Sequence, residues 1–489
     1  MRRLPVLLFL VVPTSTFASS ALGSLGACCL DNGNCLVLSE SDCGLISDSS
    51  WKGPLTGCGD NNGDGLPDAC FPPPPFFGPC FLDTIPAVDP TDVSFGRSVA
   101  VLDDWILIGD PLDDEATNNA GAAYVFRRLG SEWVQEAKLI ASNPTADSQF
   151  GIAVSLTGDM AAIGARLEGQ GKVYVFRRTG LAWSEEAQLT TEDQVFNMGC
   201  TVAARGNFVA ATSSNGLYVF ERHPSFGWIF QQHADATPGC QPLAMTGSRI
   251  ALAGRIYRQD HTDVNGHTFW SLETVLAPSD GAIGFGNAAA ISGDVIVIGA
   301  ETDNTIGPNG GSAYVYRRVN GSWTEEAKLF PNDWAAFQLF GSAVATDGNV
   351  IAVGQRQDGG PGAIYFFQQA GDVWAQQLKL FPPEPPMNVD FGTGLALDNG
   401  FLAVADYSAA SVGPDAGAVY VLAVVGPDCN GNASLDACDI SVGTSRDIDL
   451  NLIPDECLAP IPAVSAWGIA VLMLAVAVAA TIILARRAL

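Results

Sequence analysis

Residues 95–140 read FGRSVAVLDDWILIGDPLDDEATNNAGAAYVFRRLGSEWVQEAKLI, and this stretch decides the fold. It contains four short apolar segments: FGRSVAV, WILIGD, GAAYVFRR and WVQEAKLI. Each segment is rich in β-branched or aromatic residues and is bounded by Gly, Asp or Asn. Segments of this kind, separated by turn residues, predict four β-strands. The stretch therefore predicts one four-stranded sheet.

The same unit recurs along the chain at a step of about 50 residues. Phe-Gly pairs begin at Phe95, Phe150, Phe285, Phe340 and Phe391, with a degenerate copy at Phe196 and Gly199. A further unit is visible at Thr246-Gly247, followed by SRIALAG. Seven units of four strands predict an all-β fold, a seven-bladed β-propeller of four-stranded blades.

The last unit is one strand short, which indicates how the ring closes. It reaches Tyr420-Val421-Leu422 and lacks the Trp-containing fourth segment found in other units. Because a closed ring leaves few exposed sheet edges, we predict that residues 81–88 supply the missing strand. We also predict a disulfide between Cys200 and Cys240, which lie near the starts of the adjacent third and fourth units.

Phe-Gly, a hydrophobic strand ending in Gly, and then Gly-x-x-Tyr-Val-Phe resembles the FG-GAP repeat of integrin α-subunit propellers and their bacterial relatives. The resemblance covers residues 81–425. Family propellers often hold calcium in a D-x-D-x-D-G loop between the second and third strands. The corresponding loops, such as GDPLDDEATNNAG, lack that spacing, so we expect no calcium in the blades.

Both ends of the chain predict export and anchorage. Residues 1–21 read as a signal peptide, with Arg2 and Arg3 before an apolar run and small residues. Residues 466–485 are uncharged and long enough for a single membrane-spanning helix, and Arg486 and Arg487 place its end in the cytoplasm. The ectodomain is then outside, at the cell surface or in the cell envelope.

The tail at residues 461–489 also resembles the IPTL-type C-terminal sorting signal of bacterial surface proteins. The shared features are Ile461-Pro462, Ser465, Trp467-Gly468, the apolar run and the terminal Arg pair. The resemblance implies a sorting protease as a partner, with Ala463, Val464 and Ala466 departing from the family pattern.

Two small modules are predicted beside the propeller. Residues 27–70 form a Cys-rich module, followed by a Pro-rich linker at 71–80, and residues 427–458 form a second module. Because seven of the 12 Cys lie between Cys28 and Cys80, beside an export signal, we expect disulfides; a zinc site is the alternative for this N-terminal cluster.

Three acidic loops in these modules predict calcium as a cofactor. Oxygen ligands alternate around a sharp turn, which suits a hard cation. The predicted ligands are Asp60, Asn62, Asp64 and Asp68; Asp428, Asn430, Asn432 and Asp436; and Asp447, Asp449, Asn451 and Asp455. The loops resemble those of thrombospondin type 3 and dockerin modules; a solvated acidic turn is the alternative.

The net charge and the absence of catalytic motifs limit the classes of protein to which the chain can belong. A net charge of −28 argues against a nucleic-acid partner. No G-x-S-x-G, P-loop or H-E-x-x-H motif is present, so the sequence favours a non-enzymatic protein. We expect a cell-surface binding or adhesion protein whose propeller loops recognise a surface protein or glycan. The alternative is an extracellular polysaccharide hydrolase or lyase on the same scaffold.

Overall fold

The computed structural model describes most of the propeller and short parts of the flanking modules. The described residues are 25–30, 35–39, 49–51, 79–89, 93–130, 132–192, 195–235, 239–263, 267–356, 361–370, 373–383, 390–412, 416–424 and 435–441. The predicted signal peptide, the predicted spanning segment at 466–485 and the sorting signal lie outside these residues. Among the described residues, no helix is long and apolar enough to cross a membrane.

The predicted Cys-rich module contains a small antiparallel sheet. Its strands are β1 (Leu25–Leu30), β2 (Cys35–Ser39) and β3 (Ser49–Trp51), in the order β2-β1-β3. This sheet belongs to a compact unit that spans Met1–Pro75. The sequence pattern of Cys residues did not predict a sheet there.

The second compact unit contains seven four-stranded antiparallel sheets, which confirms the predicted propeller. The strands, blade by blade, are β5 Ser98–Leu102, β6 Trp105–Asp110, β7 Ala122–Leu129 and β8 Glu132–Leu139; β9 Phe150–Thr157, β10 Met160–Ala165, β11 Lys172–Thr179 and β12 Ala182–Leu189; β13 Val202–Arg205, β14 Phe208–Ser213, β15 Gly216–His223 and β16 Gly227–Asp235; β17 Leu243–Thr246, β18 Arg249–Leu252, β19 Arg255–Thr262 and β20 Thr268–Val275; β21 Ala288–Ser292, β22 Val295–Ala300, β23 Ser312–Val319 and β24 Ser322–Leu329; β25 Phe340–Thr346, β26 Val350–Gln355, β27 Ala363–Ala370 and β28 Val373–Leu380; and β29 Gly394–Asp398, β30 Phe401–Asp406, β31 Ala418–Ala423 and β4 Cys80–Pro86.

The ring is closed, and the predicted closing strand is confirmed. The first strand of each blade contacts the first strands of both neighbouring blades, and β29 of blade 7 contacts β5 of blade 1. β4 forms the fourth strand of blade 7 and pairs antiparallel with β31, with Ala418 opposite Pro86 and Ala423 opposite Cys80. Because β4 pairs with β31, the hydrogen-bonding edge of β31 is not left exposed.

Among the described residues, two disulfides crosslink the propeller. The predicted Cys200–Cys240 bond is present, with 5.5 Å between the Cα atoms. A second bond, which the sequence did not predict, joins Cys80 at the start of β4 to Cys438 in a short helix, α1 (Asp436–Ser441). Cys438 and Leu435 pack against Ala423 at the end of β31. The closing strand is therefore covalently tied to the chain that follows the last blade.

The Phe-Gly pair of each repeat locks its blade to the preceding one. Gly151 adopts a φ of +93°, and a Cβ placed on it would lie 2.2 Å from the carbonyl oxygen of Ala122 in blade 1. A Cβ on Gly109, at the end of the second strand of blade 1, would lie 2.0 Å from the Gly151 oxygen. Phe150 is fully buried and packs edge-on against Tyr174. The glycines of the repeat thus allow two backbones to approach closely.

The degenerate third copy uses a different residue from the one predicted. Phe196 was predicted to take the Phe position, but its side chain is 68% exposed. Met198, directly before Gly199, is fully buried and bridges Gly171 of blade 2. Because the buried position must be adjacent to the close-approach glycine, the flexible apolar Met replaces Phe in this copy.

Candidate functional site

The two faces of the propeller differ in their connections. One face, here called the long-loop face, carries the connections between second and third strands and between consecutive blades, such as residues 111–121 and 140–149. The short-turn face carries tight turns, such as 158–159 and 180–181. Binding residues usually lie in loops on a rigid sheet scaffold, so the long-loop face is the candidate binding face.

Networks of Tyr, Lys and carboxylate fix these long loops. The Tyr124 hydroxyl donates to Asp113 at 2.7 Å, and Lys138 lies 2.6 Å from the same carboxylate. In blade 5, Lys328 lies 2.7 Å from Asp303, and Ser312 also donates to Asp303 at 2.7 Å. Ammonium groups of the chain itself therefore neutralise carboxylates in the blade loops.

Equivalent positions from several blades meet around the channel opening on the long-loop face. One position follows the Phe-Gly pair, at the start of the innermost strand, and the other directly follows the second strand. These positions and their neighbour Asp390 form a set that we call the arginine mouth: Arg97, Arg166, Glu301, Arg356, Asp390 and Tyr407. The set draws on blades 1, 2, 5, 6 and 7, so only the closed ring brings it together.

Direct contacts orient part of the arginine mouth. The Arg97 guanidinium lies over the Tyr407 ring, 5.0 Å from its centroid. Arg166 donates through Nε to Gln149 at 2.7 Å. Burial, a hydrogen bond with Asp390 and the charge of that carboxylate raise the pKa of Tyr407, so its phenol stays protonated and donates to Asp390.

The charges of the arginine mouth influence one another. Burial and the nearby charge of Arg97 lower the pKa of Arg166, which remains cationic because an arginine pKa starts far above neutrality. Burial raises the pKa of Glu301, an effect that the charge of Arg356 opposes. The site is therefore a partly desolvated group of cations with a carboxyl that is held near them.

The other end of the channel carries the opposite charge. Asp103, Asp347 and Asp398 lie where innermost strands end at the short-turn face, together with Arg205. Asp398 accepts a hydrogen bond from the Asp103 amide at 3.0 Å. Burial raises the pKa of Asp398, and the charges of Asp103 and Asp347 add to that effect. The channel is thus polarised, with cations at the long-loop end and carboxylates at the short-turn end.

The predicted calcium ligands fall almost entirely outside the described residues. Only Asp436 is described, as the first residue of α1. Within the described part of the chain, no group of three or more His, Cys, Asp or Glu side chains could hold a metal ion. The calcium sites in the flanking loops stay a prediction.

The four His of the chain lie on or beside the outer strands of two blades. His223 ends β15, His233 lies in β16, His261 in β19, and His267 immediately precedes β20. His223 stacks on Phe226 and His261 on Phe269, with centroids 4.7 Å and 4.9 Å apart. These rings pack against aromatic neighbours at the periphery of blades 3 and 4 and do not contribute to the arginine mouth.

The repeat pattern has a counterpart among known families. A family model described as the FG-GAP repeat matches residues 89–126, 133–176, 270–316 and 323–367. The chain carries FG-GAP repeats. Three of these FG-GAP matches begin in or just before the fourth strand of one blade and end in the third strand of the next. The FG-GAP unit is therefore offset from the blade by one strand and spans the interlock between blades.

No curated protein sequence matches the chain. Among solved structures, a protein from Lactobacillus plantarum is similar at 13% identity and a TM-score of 0.44, covering 62% of this chain and 89% of that chain. A putative 6-phosphogluconolactonase from Bacteroides uniformis is similar at 15% identity and a TM-score of 0.45, with 62% and 89% covered. The WD40 domain of Neurospora crassa Pan2 is similar at 14% identity and a TM-score of 0.44, with 72% and 96% covered.

Proposed function

We propose that this protein is an exported cell-surface binding protein whose propeller recognises a surface protein or glycan with its long-loop face. The FG-GAP propeller fold is consistent with a binding scaffold. The observation that carries the proposal is the arginine mouth, a polar group assembled from five blades around the opening of the channel. Framework positions repeat from blade to blade, whereas these positions differ, as expected of residues selected for recognition.

Exposed aromatic side chains on the same face support this proposal. Phe196, Trp334 and Phe337 lie in connections between consecutive blades and are 68%, 57% and 50% exposed. Aromatic residues combine a large apolar surface with low conformational entropy, and they are enriched where proteins bind partners. The long-loop face therefore offers both charge and apolar contact area.

A binding screen with the purified full-length protein in mild detergent tests the choice of face. We expect binding to one class of glycan or surface protein, and Trp334→Ala should weaken it about tenfold or more. Phe226→Ala is the matched control, because Phe226 is also exposed but lies in a turn on the short-turn face. Equal losses in both variants would contradict recognition by the long-loop face. Release of reducing ends from a bound polysaccharide would instead support the hydrolase or lyase alternative.

Export and anchorage are tested separately. Removing residues 461–489 should release the protein into the medium, because that segment carries the predicted spanning helix and sorting signal. Cell fractionation and immunoblotting of the medium measure the outcome. Retention of the truncated protein on cells would contradict anchorage by the tail.

A further inference from the structure

The arginine mouth concentrates positive charge on a strongly acidic protein. The chain has a net charge of −28, yet Arg97, Arg166 and Arg356 come from three blades to one end of the channel. Two carboxyls, Glu301 and Asp390, accompany them, which leaves one positive charge in excess when both are ionised. A local reversal of sign on an acidic surface focuses anions at that point.

In the part of the chain that the structure describes, none of the three guanidinium groups of the mouth forms a salt bridge, although the charge of Arg356 acts on Glu301. Several arginines elsewhere in the propeller are paired with carboxylates: Arg177 and Arg222 share Glu186, and Arg317 pairs with Glu326. By contrast, the described residues give Arg166 one side-chain hydrogen bond, to Gln149, and a guanidinium has five N–H donors. The arginine mouth thus retains unused donors beside a partly buried surface.

The charge balance favours a small anionic group over a polyanion. Planar guanidinium forks match the two oxygens of a carboxylate, and partial burial strengthens that attraction. One excess positive charge suits a single negative group. A long polyanion would also have to lie across a surface that is otherwise acidic, where it is repelled.

Exposed aromatic side chains on the same face indicate what carries the anion. Trp334 and Phe337 belong to the connection that enters blade 6, the blade that also supplies Arg356. Exposed rings of this kind pack against the apolar face of a sugar ring, while a nearby cation binds its acidic substituent. Tyr407, held under Arg97, donates its proton to Asp390, and its hydroxyl oxygen can accept a hydrogen bond from a sugar hydroxyl.

We propose that the arginine mouth binds the carboxylate of an acidic saccharide unit, a uronic acid, at the long-loop end of the channel. This inference rests on the proposed function and specifies the ligand class of the same face. The carboxylate contacts Arg97, Arg166 and Arg356, and the sugar ring lies toward the aromatic loop of blade 6. The acidic end of the channel, with Asp103 and Asp398, does not accept this ligand.

Calorimetric titration of the full-length protein with glucuronate tests the proposal. Glucuronate should bind, and glucose should bind about tenfold more weakly or not at all, because it lacks the charged group. Arg166→Gln should weaken glucuronate binding about tenfold or more, whereas Arg166→Lys should lose less because it keeps the charge. Arg205→Gln removes the same charge at the opposite end of the channel and should leave affinity unchanged. Circular dichroism melting curves confirm that each variant is folded.

Comparison anions distinguish the ligand classes. If sulfate binds as tightly as glucuronate, the saccharide assignment is wrong and the arginine mouth is only an oxyanion site. Acetylglycine that binds as tightly would overturn the saccharide assignment in favour of a peptide carboxyl terminus. If no anion binds, or if Arg205→Gln weakens binding as much as Arg166→Gln, the arginine mouth is not the site. Neutral glycans that still bind the long-loop face would preserve the proposed function while this inference fails.

Discussion

At the scale of single residues, Lys328 shows how a buried carboxylate in a blade loop is neutralised by a cation of the same chain. Asp303 is 3% exposed, and although burial alone would raise its pKa, hydrogen bonds from Lys328, Ser312 and Thr305 hold that pKa below the ordinary value. A carboxylate this buried is tolerated only with a cation and donors beside it. The ammonium of Lys328 supplies the cation from within the blade.

Lys328→Met should therefore destabilise the propeller by about 2–3 kcal/mol near neutral pH, because a buried carboxylate is left without its cation. Lys379→Met is the matched control at the equivalent position of blade 6, where the partner Asp333 is 53% exposed. Its cost should stay below about 1 kcal/mol. Urea unfolding measures both, and equal costs would contradict the role of burial.

The pH dependence of the same pair has a defined sign. Because the folded-state pKa of Asp303 is lowered, its contribution to stability is complete above the ordinary carboxyl pKa and is lost as the pH falls through the folded value. In Lys328→Met, burial without the cation raises that pKa instead. The difference in stability between wild type and variant should thus shrink as the pH falls from about 7 to about 4, and unfolding curves across this range measure it.

Glu301 predicts a pH dependence of binding. Its pKa is raised by burial and opposed by Arg356, so it gains a proton at a higher pH than an ordinary glutamate. If the arginine mouth binds an anion, affinity should rise as the pH falls from about 7 to about 5, because a competing negative charge is removed. Glu301→Gln should bind more tightly and lose this dependence. The other charged or titratable groups of the arginine mouth, which remain in this variant, are Arg97, Arg166, Arg356, Asp390 and Tyr407. An affinity that falls toward acid pH in both proteins would contradict the assignment.

At the scale of elements, the interlock between blades explains why glycine recurs at fixed places. Gly151→Ala should be strongly destabilising, because a φ of +93° alone costs about 1–2 kcal/mol in a residue with a side chain and the added Cβ collides with the Ala122 carbonyl. Gly158→Ala is the control in the same blade: its φ is +55°, and no atom lies within 4 Å of the added Cβ. Thermal unfolding should separate the two variants clearly.

The flanking loops carry the calcium prediction at this scale. We expect the full-length protein to bind calcium with a Kd of about 10⁻⁴–10⁻³ M, as weak extracellular modules do. Replacing Asp60, Asp428 and Asp447 together with Ala should abolish uptake in calorimetry. Asp114→Ala, in an exposed blade loop, should leave uptake unchanged. Uptake that persists in the triple variant would place calcium elsewhere.

The blades and the closing strand could be predicted from the sequence because both follow from the repeated Phe-Gly unit. Phe150, Gly151 and their equivalents are framework, and counting them reveals that one strand is missing. The arginine mouth could not be predicted for the complementary reason: Arg97, Arg166 and Arg356 occupy two repeat positions at which other blades have different residues. In the third copy, the sequence points to Phe196 for the buried position before the glycine because Phe occupies it in other copies. The residue that occupies it is Met198, and only burial in the folded chain distinguishes the two.

At the scale of the whole molecule, closure depends on strand pairing and a covalent bond. The Cys80–Cys438 bond closes a span of 358 residues, compared with 40 for Cys200–Cys240. Since the loss of unfolded-state entropy grows with the span, replacing Cys80 and Cys438 with Ala should cost about 2–4 kcal/mol and more than replacing the other pair. Melting curves of the two double variants test this order, and an unchanged curve without Cys80 and Cys438 would contradict a role in closure.

Because β4 closes the ring, the ring cannot close until the last blade has been synthesised. Cys80 is synthesised 358 residues before Cys438, an interval of roughly 20–70 s at about 5–20 residues per second. For most of that time β4 has no partner, because β31, its neighbour in blade 7, is synthesised only shortly before Cys438. The earliest strand of the propeller is thus the last to be paired, and the Cys80–Cys438 bond can form only after every strand of the ring has been synthesised.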